Sequence, residues 1–334
     1  MEKKSFVLAV LAISSVAFAA GPGPGDFAAT DAYPGFDDES KILPREKKTS
    51  SVFWWLNAKC DNPADQLELA RKYLVEGSYT SAAIAFDALV AAWPNSSEAP
   101  IAQDELADLY LKIGDAISAH AEYKYLIDFF PTRCNHSQAI EKLYESALKM
   151  REDGKKILFF RFANTVDVRR AFEAVVLRAS GAPFAVDALF AVAELRVEDG
   201  DYAQAVSVYK TIRNRYSSSK RVHEALAAEA DLRMKLLRQH EYNYSRCKNT
   251  VDFMAMAVST ASDTGAAARF EEYRAEAVKM LEREAFKSAR FYDSRTRKRR
   301  AAVAAYEHFL REFPAGEYAN AARERIAQLK VSAQ

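Results

Sequence analysis

Residues 69–94 read LARKYLVEGSYTSAAIAFDALVAAWP, and this stretch decides the fold. Leu69, Ala70 and Tyr73 share one face of a helix at i, i+1 and i+4. Gly77 then offers the left-handed residue that ends a helix, and Ala82, Phe86 and Leu89 open a second apolar face. Pro94 stops that second helix, because proline has no N–H to donate. A shift of 37 residues returns the same residue types: Leu106, Ala107, Tyr110, Gly114, Ala119, Tyr123, Leu126 and Pro131. Unrelated alanine-rich helices would match one or two of these positions but not the set at one register.

A further copy carries Ala193, Gly200, Tyr202, Ala205, Tyr209 and Ile212, with Ser217 in the place of the proline. The last carries Ala289, Tyr292, Ala302, Tyr306, Phe309 and Pro314, with a turn one residue longer. A degenerate copy between the second and these two keeps Ala171, Val175 and Pro183 in its second helix. The small residues Ala70, Ala107, Ala193 and Ala289 let two helices approach. Ala82, Ala119, Ala205 and Ala302 do the same from the other helix. Phe86, Tyr123, Tyr209 and Tyr306, one turn further on, fill the space between hairpins. A helix-turn-helix unit of about 34 residues that repeats in this way is the tetratricopeptide type. The expected fold is therefore all-α, a tetratricopeptide-type helical-hairpin solenoid of about five repeats over residues 65–330. Segments 138–167 and 220–288 read as longer, less regular helices, and 243–264 as a loop with a short helix.

The chain of 334 residues balances 47 Lys+Arg against 46 Asp+Glu, a net charge of +1. Bulk nucleic-acid binding needs a basic excess to displace counterions, and this balance argues against it. Lys3 and Lys4 precede an apolar run from Phe6 to Phe18, and Ala17-Phe18-Ala19 fits a small-x-small cleavage pattern. Residues 1–19 are thus expected to be a signal peptide, and the chain to be exported. Residues 20–50, opening on Gly21-Pro22-Gly23-Pro24-Gly25, read as a flexible tether. Residues 51–64 read as an apolar cap around Val52-Phe53-Trp54-Trp55-Leu56. Trp54 and Trp55 either cover the open end of the stack or anchor a partner. Cys60, Cys134 and Cys247 fit no zinc spacing and leave at least one thiol unpaired; one disulfide and three free thiols are both open.

Tyr79-Thr80-Ser81-Ala82-Ala83, Phe86, Leu89 and Trp93-Pro94-Asn95-Ser96 resemble the BamD (ComL/YfiO) family of outer-membrane protein assembly factors. So do Ala289-Arg290-Phe291-Tyr292, the run from Ala301 to Pro314, and the trailing Ala321-Ala322, Arg325 and Ile326, which resemble that family's closing repeat. The likeness covers about residues 65–330. It implies a periplasmic scaffold at the inner face of the outer membrane that binds a β-barrel assembly component through its C-terminal repeats. There are two departures. The family's lipid-bearing cysteine is replaced by Ala20-Gly21, and the arginine often found in the second helix of its last repeat corresponds to Ala305.

No His-Glu-x-x-His, Gly-x-Ser-x-Gly or phosphate-binding loop occurs in the sequence. The five histidines are scattered, and Glu145-Ser146 stands without the rest of a wall-cleaving signature. No cofactor or metal is expected, and the chain reads as no enzyme. The one distinctive charge feature is Arg295, Arg297, Lys298, Arg299 and Arg300 in the turn of the last repeat. These five are either a solvated turn complementing the end of the preceding helix, or a contact for an acidic partner or anionic lipid. The leading expectation is a non-enzymatic subunit of the outer-membrane β-barrel assembly machinery. The alternative is a periplasmic scaffold that coordinates envelope or cell-division enzymes. An exported enzyme using 243–264 is a third.

Overall fold

The computed structural model describes residues 57–154, 164–239, 243–295 and 299–331. The expected signal peptide, the tether and Trp54 and Trp55 lie outside them. Thirteen helices and no strands occur among the described residues. The chain divides into two compact units between Gly200 and Asp201.

The N-terminal unit contains α1 (Pro63–Val75), α2 (Tyr79–Ala92), α3 (Glu98–Ile113), α4 (Ala116–Phe129), α5 (His136–Gly154), α6 (Thr165–Arg178) and α7 (Ala185–Glu198). Local chemistry sets the boundaries. Asn62 caps α1 by accepting the Asp65 N–H at 2.8 Å, and Pro63 fills the first helical position, where no N–H is needed. Gly77 and Gly114 adopt φ of 73° and 85°, the left-handed geometry that lets the chain reverse into α2 and α4. Each helix packs on the next in chain order, and α1 also reaches α3. First helix against next first helix is how helical hairpins stack.

The C-terminal unit contains α8 (Tyr202–Arg215), α9 (Val222–Gln239), α10 (Tyr244–Ser259), α11 (Thr264–Arg295), α12 (Arg299–Glu312) and α13 (Ala319–Val331). Here too neighbours pack in order, and α9 reaches α11. The segment 243–264, expected to be mostly loop, instead forms the full helix α10. Asn243 caps it at the Arg246 N–H, and Cys247, Thr250, Phe253, Met254 and Ala257 are buried. The polar residues between them obscured that period. With α9 it makes a sixth hairpin beyond the copies legible in the repeat pattern.

The repeat positions behave as their chemistry demands. The paired alanines at 70, 107, 193 and 289 and at 82, 119, 205 and 302 are all buried, as are Phe86, Tyr123, Tyr209 and Tyr306. Each large side chain removed from water this way contributes roughly 1.5–3 kcal/mol. Polar bonds repeat as well. The buried Gln66 side chain donates to the Ala85 carbonyl at 3.0 Å, and the buried Gln103, 37 residues on, donates to the Glu122 carbonyl at 3.0 Å.

Ion pairs join first helices of successive hairpins. Arg71 of α1 meets Glu105 of α3. Lys142 of α5 lies 2.8 Å from Asp108 and 3.1 Å from Asp104 of α3, and Arg151 of α5 lies 2.6 Å from Glu194 of α7. In the C-terminal unit Arg238 of α9 meets Glu276 of α11 at 2.6 Å, Arg269 of α11 meets Asp231 of α9, and Arg325 of α13 meets Asp293 of α11 at 2.7 Å.

The start of α13 is held by Glu282 of α11, a buried carboxylate that accepts the Tyr318 N–H at 2.9 Å. A Cβ at Gly316 would overlap that carboxylate. Gly316→Ala is therefore expected to displace Glu282 and lower the stability of the C-terminal unit by about 1–3 kcal/mol in urea unfolding. The same substitution in a Glu282→Ala background should cost little.

Candidate interaction surfaces

The C-terminal unit contains a groove of about 360 Å³ between α8, α9 and the first turns of α10. Ala203 and Val206 of α8 and Leu236 of α9 supply its apolar lining. Asn243, Ser245, Arg246 and Asn249 supply most of the polar lining. Two further lining groups are already committed. The Arg233 guanidinium donates to Glu229 at 2.7 and 2.8 Å and lies 4.4 Å over the Phe253 ring, and the Thr250 hydroxyl donates to the Arg246 carbonyl at 2.9 Å. Ser245, Arg246 and Asn249 have no side-chain hydrogen bond or ion pair among the described residues, and all three are exposed. A guanidinium, a carboxamide and a hydroxyl beside an apolar wall suit a polypeptide, whose carbonyls and carboxylates accept hydrogen bonds.

Glu229 is fully buried and takes a second arginine, Arg213 of α8, at 2.9 Å. That pairing fixes α8 against α9 and so sets one side of the groove.

The basic turn is only partly within the described residues. Arg297 and Lys298 lie outside them, as does the side chain of Arg295, the last residue of α11. Arg299 and Arg300 open α12, and both are exposed. They occupy the positive end of α12, where a cation opposes the macrodipole. On the last two turns of α11 stand Arg290, Phe291 and Tyr292, with Phe291 57% and Tyr292 44% exposed. Ala305, at the position where the resembled family often has an arginine, is half-buried and packs against the cluster around Tyr306 and Phe309.

Glu145-Ser146 forms no open nucleophile. Ser146 is fully buried, its hydroxyl donates to the Leu143 carbonyl at 2.6 Å, and it lies 2.9 Å from Nδ1 of the buried His120. Burial, then the nearby Lys124 and Arg178, push His120 down to about 3, so it stays neutral near pH 7. Sequence reading did not pair these two residues, which lie 26 positions apart on α4 and α5. Cys60, Cys134 and Cys247 are all free thiols in the structure, Cys247 on the buried face of α10. Among the described residues no group of three or more His, Cys, Asp or Glu is placed to hold a metal, and no helix is long and apolar enough to cross a membrane.

The class these features define is the all-helical, tetratricopeptide-type hairpin protein, an architecture suited to binding other proteins. The family described as "Tetratricopeptide repeat" matches residues 187–219. Among solved structures, a tetratricopeptide repeat protein from Parabacteroides merdae is similar at 13% identity and a TM-score of 0.29, with 80% of this chain and 98% of that one covered. The PilF protein of Pseudomonas aeruginosa is similar at 15% identity and a TM-score of 0.25, covering 79% and 97%. A signal-transduction ATPase with a tetratricopeptide repeat sensor from Pyrococcus horikoshii is similar at 15% identity and a TM-score of 0.27. That match covers 82% of this chain but 43% of the other. No curated protein matches.

Proposed function

We propose that this chain is a non-enzymatic periplasmic scaffold, a subunit of the outer-membrane β-barrel protein assembly machinery, peripheral to that membrane. It acts by holding a partner polypeptide in its C-terminal unit. The observation that carries the reading is the groove between α8, α9 and α10, where uncommitted donors on Ser245, Arg246 and Asn249 adjoin Ala203, Val206 and Leu236. Such a site binds an acceptor-rich segment and performs no bond-making chemistry. The assembly role follows from the resemblance of the closing repeat, and the export signal read from residues 1–19 supports the compartment.

Affinity capture from solubilised envelopes tests it. The wild-type chain should recover a large β-barrel assembly component, and Arg246→Glu should reduce that recovery at least about tenfold, the loss expected when a charged hydrogen bond is replaced by repulsion. Recovery of peptidoglycan or division enzymes instead would move the assignment to an envelope-enzyme scaffold. Equal recovery by both chains would remove the groove from the account.

A further inference from the structure

We infer that the seam between α4 and α5, where the second hairpin meets the third, is an acid-sensitive joint that opens when His120 takes up a proton. This goes beyond partner binding and concerns the N-terminal unit. His120 of α4 is 8% exposed, and Ser146 of α5 is fully buried. The hydroxyl of Ser146 has one proton, which goes to the Leu143 carbonyl at 2.6 Å. Its oxygen therefore meets the ring, 2.9 Å away, as an acceptor, and Nδ1 of His120 donates to it. That bond fixes the tautomer. Nε2 carries no proton, and although buried it has no hydrogen-bond partner among the described residues.

A buried acceptor without a partner is unfavourable at every pH, so packing alone does not account for this ring. Protonation makes its position worse. A new N–H at Nε2 would meet no acceptor, and a charge would sit away from water. The charged groups around it add to the cost. Lys124 stands one turn further along α4 and is itself only 8% exposed. Arg178 comes from α6, its guanidinium donating to both carboxylate oxygens of Asp128 at 2.7 Å, so that acid is already engaged. From α5 come Ser146 and the Leu143 carbonyl, and the carbonyl offsets part of the cost. On α3, the other helix packed against α4, Gln103 is bonded to Glu122, and Asp108 to Tyr123 and Lys142. Burial first, then Lys124 and Arg178, hold the ring down at about 3. A ring released into water returns to about 6.5. Between those values the open seam binds a proton that the closed seam refuses. Acid therefore favours opening, by up to about tenfold per pH unit below 6.5, and above that value the joint is indifferent to pH.

Two measurements on the full chain test this. In proton NMR between about pH 7.5 and pH 5, an imidazole in water moves its C2–H signal through about 6.5. One signal should stay still, and His120→Gln should remove it. Amide exchange, corrected for intrinsic rates, should give an opening constant for α4 and α5 that rises roughly 30-fold over the same range. In His120→Gln that rise should be absent. Should this variant not fold, Ser146→Ala identifies the signal instead, by shifting it in a chain that keeps the ring buried. A His120 signal that titrates through about 6.5, or an equal rise in both chains, would overturn the proposal. So would a motionless signal with an opening constant independent of pH, because the ring would then exclude the proton without the seam opening to admit it. The groove takes no part in these readings, so failure here leaves the Arg246→Glu test untouched.

Discussion

Glu173→Ala is expected to destabilise the N-terminal unit by about 3–5 kcal/mol, read as a lower urea midpoint at unchanged slope. Glu173 of α6 is fully buried, and two arginines converge on it: Arg169, one turn earlier, at 2.8 Å, and Arg196 of α7 at 2.9 Å. Their side chains are only 10% and 8% exposed, so deleting the carboxylate leaves two poorly hydrated cations facing each other. Replacing all three by Leu and Met of similar volume should be close to neutral, because the ions' desolvation and their attraction are then removed together. A large loss in that triple variant would show that the pair contributes more than it costs. The analogous Glu229 should be less sensitive, since Arg213 and Arg233 keep 19% and 22% exposure and water can take over part of their solvation.

Phe309→Ala is expected to cost about 3–5 kcal/mol in the C-terminal unit, while Phe291→Ala should stay within roughly 0.5 kcal/mol. Phe309 is 1% exposed and lies 5.5 Å from the rings of both Phe286 and Phe313, so its loss opens a cavity in an aromatic cluster that also holds Tyr306 and Tyr318. Phe291, eighteen positions earlier, is 57% exposed and leaves no cavity. Thermal and urea unfolding of the two variants side by side checks the contrast. Equal losses would mean that Phe291 is covered in solution.

The hairpins were legible because two kinds of residue have little freedom. Alanine at 70, 82, 107 and 119 is set by helix-to-helix distance, and glycine at 77 and 114 by a backbone angle. Both requirements leave a fixed mark at fixed spacing. The helix α10 escaped because Tyr244, Cys247, Thr250 and Met254 fill its buried and half-buried face without a small-residue signature, and Lys248, Asn249 and Asp252 interrupt it. Polar pairings were harder still. Glu173 with Arg196, and His120 with Ser146, lie 23 and 26 positions apart, and only the packing of separate helices brings them together. The Gln66 and Gln103 clips could have been found, since the two glutamines obey the same 37-residue shift as the apolar set. The groove had no local motif: α8 and α9 supply its walls, and the donors come from a segment that did not read as helix. Of the basic turn, the composition was plain. Beside it Tyr292, listed with the repeat positions, is exposed in the structure.

One detail of the first-helix ion pairs reaches further. Residues 71 and 108 are equivalent under the 37-residue shift, and so are 105 and 142. Arg71 meets Glu105, whereas Asp108 meets Lys142, so the polarity is inverted from one junction to the next. A chain shortened by one such period, joining α1 directly to the hairpin that begins with α5, would set Arg71 against Lys142. Like signs would then replace attraction, and such mismatches disfavour wrong neighbours more than the correct exposed pairs strengthen right ones. At these two junctions the inverted polarity therefore marks which hairpin belongs next: α1 is matched to α3 and mismatched to α5.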